Sequence, residues 1–269
     1  NRLVNNGIPI DVQKFRCRVN YRSLRFTPTL EKLGKRIVQL LRSKGPFLAL
    51  HLRLQRFSSG GVEFNEVRIS LVEGEGDKRN KKRVLGRCPL TPEETLLTLK
   101  ALGVDPNIQL YIAAGHIHGG QTGLAPLLAY FPNLVKKETL LQYEELSPFT
   151  NHSSQMAAID YMVSLESDIF VATYGGNMAK LVEGHRRYLG YRTTINLERR
   201  ALIKLIDAYK NGFLCWDEFS QRVKFVHKDR MGNPKARLQN PGKPKLEDYF
   251  YINPQEYEKN HSVCLTISM

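Results

Sequence analysis

Three short stretches of this sequence carry residues able to do chemistry. His51 and Arg53 stand two apart in the run FLALHLRL, so on a strand both point to one face. A guanidinium in that place offers a planar fork for phosphate oxygens. The second stretch is Thr173 to Asn177, TYGGN, which follows the apolar run Ile169–Ala172 and precedes a helical pattern of about three turns. A strand, a glycine turn and a helix N-terminus together favour an anion, because the first N–H groups of the helix are unsatisfied and its dipole is positive there. Asn177 is placed to cap that helix. The third stretch is His116 and His118 in the turn HIHGG, two apart but with no nearby acid to complete a metal site. Each stretch also has a structural reading: an Arg paired to a carboxylate, a hydrogen-bonded core His, and a glycine pair that only supplies positive φ to a turn. Neither GxGxxG nor GxxxxGK[ST] occurs, so no dinucleotide fingerprint or P-loop is claimed.

The surrounding pattern says what would hold these residues. Thr27 and Pro28 open a helix with Leu30, Leu33, Ile37, Leu40 and Leu41 on one face, and Gly45-Pro46 stops it. A buried strand is expected over 47–54. In LTPEETLLTLKALG, Thr91 caps, Pro92 starts and Glu94 completes a capping box, with Gly103 at the end. A strand over 107–115, a short helix in TGLAPLLAYFPN and a helix in HSSQMAAIDYMVSLES follow. Two amphipathic helices, ERRALIKLIDAYKNG and CWDEFSQRVKFVHK, come after the glycine turn. Strands alternating with helices imply an α/β, Rossmann-like parallel sheet with helices on both faces. Ligands bind such sheets at the carboxyl ends of the strands, where all three stretches fall. The expected division is a lead-in segment 1–26, a Rossmann-like domain 27–199 with an irregular insert at 55–87, C-terminal helices in 200–228 and a loosely packed tail at 229–269.

The chain has 269 residues, with 40 Lys and Arg against 26 Asp and Glu, a net charge of +14. That charge attracts polyanions, phosphorylated ligands among them. The block DKRNKKR at 77–83 reads either as a nucleic-acid patch or as a solvated basic loop, and no aromatic residues interleave it to stack on bases. No run of about 18 apolar residues is present, and the first residues lack the apolar core of a signal peptide. The four cysteines, Cys17, Cys88, Cys215 and Cys264, form no CxxC pair. Sequons at Asn151 and Asn260 fit a secretory location.

Taken in order, CRVNYRSLRFTPTLEKLG, GPFLALHLR, GRCPLTPEETLLTLKALG, YIAAGHIHGG, LLAYFPN and DYMVSLESDIFVATYGGNMAKLVEGHRRYLGYRTTI resemble the plant O-fucosyltransferase-like family, relatives of the GDP-fucose protein O-fucosyltransferases, over about residues 10 to 235. The resemblance implies the C-terminal, donor-binding half of a GT-B glycosyltransferase. It implies an inverting, metal-independent transfer of fucose from GDP-fucose to a protein or polysaccharide hydroxyl, with no cofactor; some relatives use UDP-rhamnose on pectin. It places the protein in the Golgi lumen, on a membrane anchor expected to be absent here along with the half that binds the acceptor and holds the base. On the family pattern Arg53 is catalytic, binding the diphosphate and stabilising the leaving group, and His51 orients Arg53 or the nucleotide. Asp168, Thr173, Gly176 and Asn177 complete the donor site, with the N–H groups of Gly176 and Asn177 on the β-phosphate. Three departures stand out: Gln55 for an acid after the HLR motif, His116 for a Glu, and Gly175 for an Asp. The rewritten 55–86 segment lacks a family cysteine, which would leave Cys88 as a free thiol. Two alternatives stay open: an inactive relative that binds a nucleotide sugar or a partner, and a basic nucleic-acid-binding protein, although no nucleic-acid partner is expected of the family.

Overall fold

The computed structural model describes residues 9–53, 75–115, 117, 120–190 and 193–233. Five strands form one parallel sheet: β1 (Phe47–His51), β2 (Gln109–Ala113), β3 (Leu134–Val135), β4 (Ile169–Ala172) and β5 (Thr194–Asn196), in the spatial order β3-β2-β1-β4-β5. This is the doubly wound, Rossmann-like arrangement that the alternation implied. The strand order reverses between β1 and β4, so the crevice outside their carboxyl ends is the topological switch point. Register sets His51 opposite Ala172 on β4 and Ala113 on β2, which fixes what that crevice contains.

Both faces of the sheet are covered, as a parallel sheet requires. Odd-numbered residues of β1, Phe47 and Ala49, pack with α2 (Pro28–Arg42), α8 (Ser153–Glu166) and α9 (Asn177–Tyr188) through Leu33, Ile37, Ile159, Val163 and Val182. Even-numbered Leu48 and Leu50, with Leu52 just beyond, pack with α4 (Pro92–Leu102), α5 (Gly120–Tyr130), α10 (Arg199–Lys210) and α11 (Trp216–His227) through Leu99, Leu124, Leu202, Ile206 and Phe219. The period of two along β1 is thus the divider between the two layers of the core. Two short helices, α6 (Lys137–Leu140) and α7 (Tyr143–Thr150), bridge β3 to α8.

The capping chemistry of α4 matches the sequence reading: Thr91 accepts from Glu94 N–H at 3.2 Å, Glu94 accepts from Thr91 N–H at 3.0 Å, and Gly103 closes the helix at φ 82°. Other expectations change. The lead-in folds: α1 (Ile10–Arg18) and a π-helical turn (Val19–Ser23) seat Cys17 and Tyr21 against His185 and Tyr188 of α9. Within the region read as irregular, α3 (Glu75–Val84) forms and carries the whole basic block; Arg83 is held by Asp207 at 2.7 Å and Glu94 at 2.6 Å. Past α11, at the start of the segment read as a loosely packed tail, the carbonyls of Met231 and Arg230 accept from the outer-edge N–H groups of Thr194 and Asn196 at 3.1 and 2.9 Å. That contact blunts the open edge of β5. Gln55, His116, His118, Cys264 and the second sequon lie outside the described residues.

Candidate functional site: the switch point between the first and fourth strands

Parallel pairing brings the ends of β1 and β4 together, and Thr173 locks them. Its hydroxyl is fully buried, accepts the Arg53 N–H at 3.1 Å and donates to the His51 carbonyl at 3.3 Å; its own N–H reaches the same carbonyl at 3.1 Å. Thr173 therefore positions the HLR segment, and its hydroxyl is spent within the protein rather than turned toward a donor. Arg53, held by its backbone, sends its guanidinium over the Tyr174 ring, 5.1 Å from the centroid. That is within the distance at which an arginine gains from a ring face.

Gly176 is explained by room, not by backbone conformation. It sits at φ −80°, where any residue is comfortable, and a Cβ there would lie 3.2 Å from Arg53 Nη1. A side chain at Gly176 would press on the guanidinium, which would have to shift by a few tenths of an ångström to admit it. Gly176 is also the N-cap of α9, which makes Asn177 the first helical residue instead of the cap. The Gly176 N–H donates to the Tyr174 carbonyl at 2.9 Å, so it is not available to a phosphate. Lys180 N–H, bonded to the Gly176 carbonyl at 3.1 Å, is the first to close the helix, and the N–H groups of Asn177, Met178 and Ala179 precede it. The N–H groups open at this helix start are therefore those of 177–179, which keeps Asn177 and drops Gly176.

His51 ends β1 on the α9 side of the sheet. Burial, and secondarily the charge of Arg53, push its pKa down to about 4, so the ring is neutral at pH 7. Its Nδ1 is buried and has no partner among the described residues. A neutral imidazole beside Arg53 fits an orienting role and not a charge-carrying one.

Asp168 does not join these residues. It lies at the amino end of β4, where it takes two bonds from Arg42 Nη1 at 2.7 and 2.8 Å and one from the Phe47 N–H at 2.8 Å. The four residues of β4 separate it from Thr173 by roughly 15 Å. Its role is to tie α2 to the start of β1 and β4.

The structure adds a residue that sequence pattern did not single out. Arg199, the first residue of α10, also lies over the Tyr174 ring, 4.7 Å from its centroid, and donates through Nε to the Gly86 carbonyl at 2.8 Å. A cavity of about 320 Å³ opens beside it, lined by Gly175, Lys180, Asn196, Glu198, Arg199 and Arg200 among others. A volume of that size is at the lower end for a small-molecule site, roughly 300–1,000 Å³. Only the RR dipeptide at a helix start could have signalled it, since cations there oppose the helix dipole. Among the described residues no group of three or more His, Cys, Asp or Glu is arranged to hold a metal ion. Among the described residues Cys88 and Cys215 form no disulfide, and Cys88 is half-buried. No helix of the described residues is long and apolar enough to cross a membrane.

Comparison with known proteins gives the family. A family model described as GDP-fucose protein O-fucosyltransferase matches residues 1–189. Among curated proteins of Arabidopsis thaliana, the chain is similar to rhamnogalacturonan I rhamnosyltransferase 1, with 56% identity covering 95% of this chain and 53% of that one. It is 48% identical to rhamnogalacturonan I rhamnosyltransferase 4, over 95% of this chain and 56% of the relative, and 42% identical to O-fucosyltransferase 38, over 94% and 53%. The chain thus spans about half the length of the curated relatives it matches. No solved structure matches it. With a family match over residues 1–189 and relatives up to 56% identical, the chain belongs to the GDP-fucose protein O-fucosyltransferase family.

Proposed function

We propose that this chain is the donor-binding portion of a glycosyltransferase that takes its sugar from a nucleoside diphosphate. The observation that carries the reading is the meeting, at the β1/β4 switch point, of the Arg53 guanidinium with the N-terminus of α9 across a glycine that leaves room for both. In the transfer an acceptor hydroxyl oxygen attacks the anomeric carbon, the bond to the β-phosphate oxygen breaks with its electrons on that oxygen, and a general base takes the hydroxyl proton. Arg53 and the N–H groups of 177–179 supply positive charge where the leaving diphosphate gains negative charge, in this reading without a metal ion.

Rhamnose is put ahead of fucose as the transferred sugar, with UDP-rhamnose as donor and pectic rhamnogalacturonan I as acceptor. The support is the higher identity, 56% and 48%, to proteins named rhamnosyltransferases, against 42% to O-fucosyltransferase 38. Transfer of fucose from GDP-fucose to a protein or glycan hydroxyl is the second reading, supported by the family description. Either activity belongs in the Golgi lumen. Calorimetric titration with UDP, GDP and their sugar conjugates tests the proposal. Arg53→Ala is expected to weaken diphosphate binding by about 1.5–3 kcal/mol, the scale of a hydrogen bond to a charged group. An unchanged affinity removes Arg53 from the donor site. Binding of any DNA or RNA that weakens steeply with salt, and no nucleotide binding, would favour the nucleic-acid alternative instead.

A further inference from the structure

We infer that Arg199 is a second diphosphate-binding residue, which works with Arg53 on opposite ends of the same anion. The inference rests on the donor reading above and adds a residue to it. Four observations carry it. First, both guanidinium groups stand over Tyr174, at 5.1 and 4.7 Å from the ring centroid, so their centres are no more than about 10 Å apart. Tyr174 is a common rest for two like charges that nothing else holds together. Second, none of the ion pairs among the described residues involves either group, whereas Arg42, Arg83, Arg187 and Arg230 are each matched to a carboxylate. Third, Arg199 and Arg200 open α10, whose first turn holds no acid and whose N-cap carboxylate, Glu198, is already bonded to Arg230. Cations at that end oppose the helix dipole, and an anion between Arg199 and Arg53 removes the conflict. Fourth, the Gly86 carbonyl takes Nε at 2.8 Å, which fixes the plane of the guanidinium and turns Nη1 to within 3.6 Å of where a Cβ on Gly175 would stand. Gly175 supplies no side chain to close that space, and the cavity of about 320 Å³ opens there.

The arrangement explains the shape of the surrounding loop. Gly86 has φ +66°, and a Cβ on it would lie 2.7 Å from the Arg200 backbone nitrogen, so the 85–87 turn sits directly against the start of α10. Arg83 fastens the helix before that turn to Asp207 on α10 and Glu94 on α4. The turn that orients Arg199 is therefore itself anchored, and the second cation is preorganised before ligand arrives.

Calorimetry separates this role from a structural one. The titrants are UDP or GDP, whichever binds more tightly, and the matching monophosphate; the proteins are the parent chain, Arg53→Ala, Arg199→Gln and Arg199→Lys. Arg199→Gln is expected to weaken diphosphate binding about 10- to 100-fold and monophosphate binding less than about threefold. Arg199→Lys, which keeps the charge and loses the fork, is expected to fall between Arg199→Gln and the parent. The melting temperature of each variant, read alongside, is expected to stay close to the parent's. Equal loss of both ligands, or a collapsed melting temperature in both Arg199 variants, would overturn the inference in favour of a support for Gly86. Undiminished diphosphate binding by Arg199→Gln would overturn it as well, and leave the donor reading intact if Arg53→Ala still binds weakly. No nucleotide binding by the folded parent would remove both.

Discussion

Replacing Arg186 should unfold this domain more readily than any surface change, and should do so without touching the ligand. Arg186 lies on α9, wholly buried. Nη1 donates to the carbonyls of Ser164, Leu165 and Ser167 at 2.9, 3.1 and 2.7 Å and to the Ser167 hydroxyl at 3.0 Å. Nη2 reaches the carbonyls of Asp168 and Thr193 at 3.2 and 2.9 Å, and Nε the Thr194 hydroxyl at 2.9 Å. One side chain thus stitches the end of α8 to the amino ends of β4 and β5. These contacts cannot be summed, since the Ser164 carbonyl keeps the Ser167 hydroxyl and the Thr193 carbonyl keeps the Phe170 N–H. Counting about two irreplaceable charge-assisted bonds at about 1.5–3 kcal/mol each gives about 3–6 kcal/mol for Arg186→Met. That is a large fraction of the roughly 5–15 kcal/mol that holds a domain folded. Arg186→Lys, with three donors and no fork, should lose less. Urea unfolding followed by circular dichroism reads the midpoint. A midpoint for Arg186→Met equal to or above the parent's would refute the reasoning, because it would mean the cost of burying the guanidinium exceeds all its bonds.

Two further outcomes follow from buried polar groups that the donor site does not use. Lys137 is 1% exposed and donates to Asp160 Oδ2 and to the Ala114 carbonyl, both at 2.8 Å, while Tyr111 donates to Asp160 Oδ1 at 2.8 Å. Lys137→Met strands a buried carboxylate and should cost about 3–5 kcal/mol in urea, most of it recovered in the double variant with Asp160→Leu; equal losses in the single and double variants would count against the pair. Acid should destabilise the chain through its histidines. Burial pushes His51 and His185 down to about 4 and lowers His227 as well, so each is neutral when folded. The stability they contribute is complete above the unfolded value of about 6.5 and is lost as pH falls toward about 4. Asp160, raised by burial to about 6, works the other way over the same range. The net is a loss of about 2–4 kcal/mol between about pH 7.5 and about pH 5, and an unfolding free energy that rose over that interval would contradict the burial of these rings.

The parts of the fold legible in the sequence are those where local chemistry and burial agree. The apolar run at Phe47–Leu50, the Thr91–Glu94 box and the apolar stripe of α2 each announce their element because the signal is confined to a few neighbouring residues. The edge strands β3 and β5 are two and three residues long, carry no alternation of their own, and exist because neighbours and the Arg230–Met231 backbone complete their hydrogen bonds. The lead-in helix was equally silent: its Phe15 is exposed, and it is held through Tyr21 against α9, a contact between residues far apart in the chain.

At the site the limit is sharper, because arginines of the same type meet opposite fates at the two ends of one sheet. At the amino edge Arg42 and Arg186 are consumed by Asp168 and by a ring of carbonyls, and Asp168, read from the family pattern as a donor ligand, is consumed with them. At the carboxyl edge Arg53 and Arg199 share an aromatic ring, and the acid beside Arg199, Glu198, is bonded to Arg230. Composition counts all four alike. What distinguishes them is the parallel pairing of β1 with β4, which puts strand starts, with their turns into buried helix ends, on one side, and strand ends, with an open crevice, on the other. A guanidinium buried at the closed edge, as Arg186 is, must have its N–H groups bonded by the protein. A charge at the open edge can remain unmatched, and its natural complement is a ligand of opposite sign. The net +14 of the sequence is therefore a poor guide to what is bound, while the position of each cation relative to the strand ends is a better one, and it is on that position that the proposed diphosphate between Arg53 and Arg199 rests.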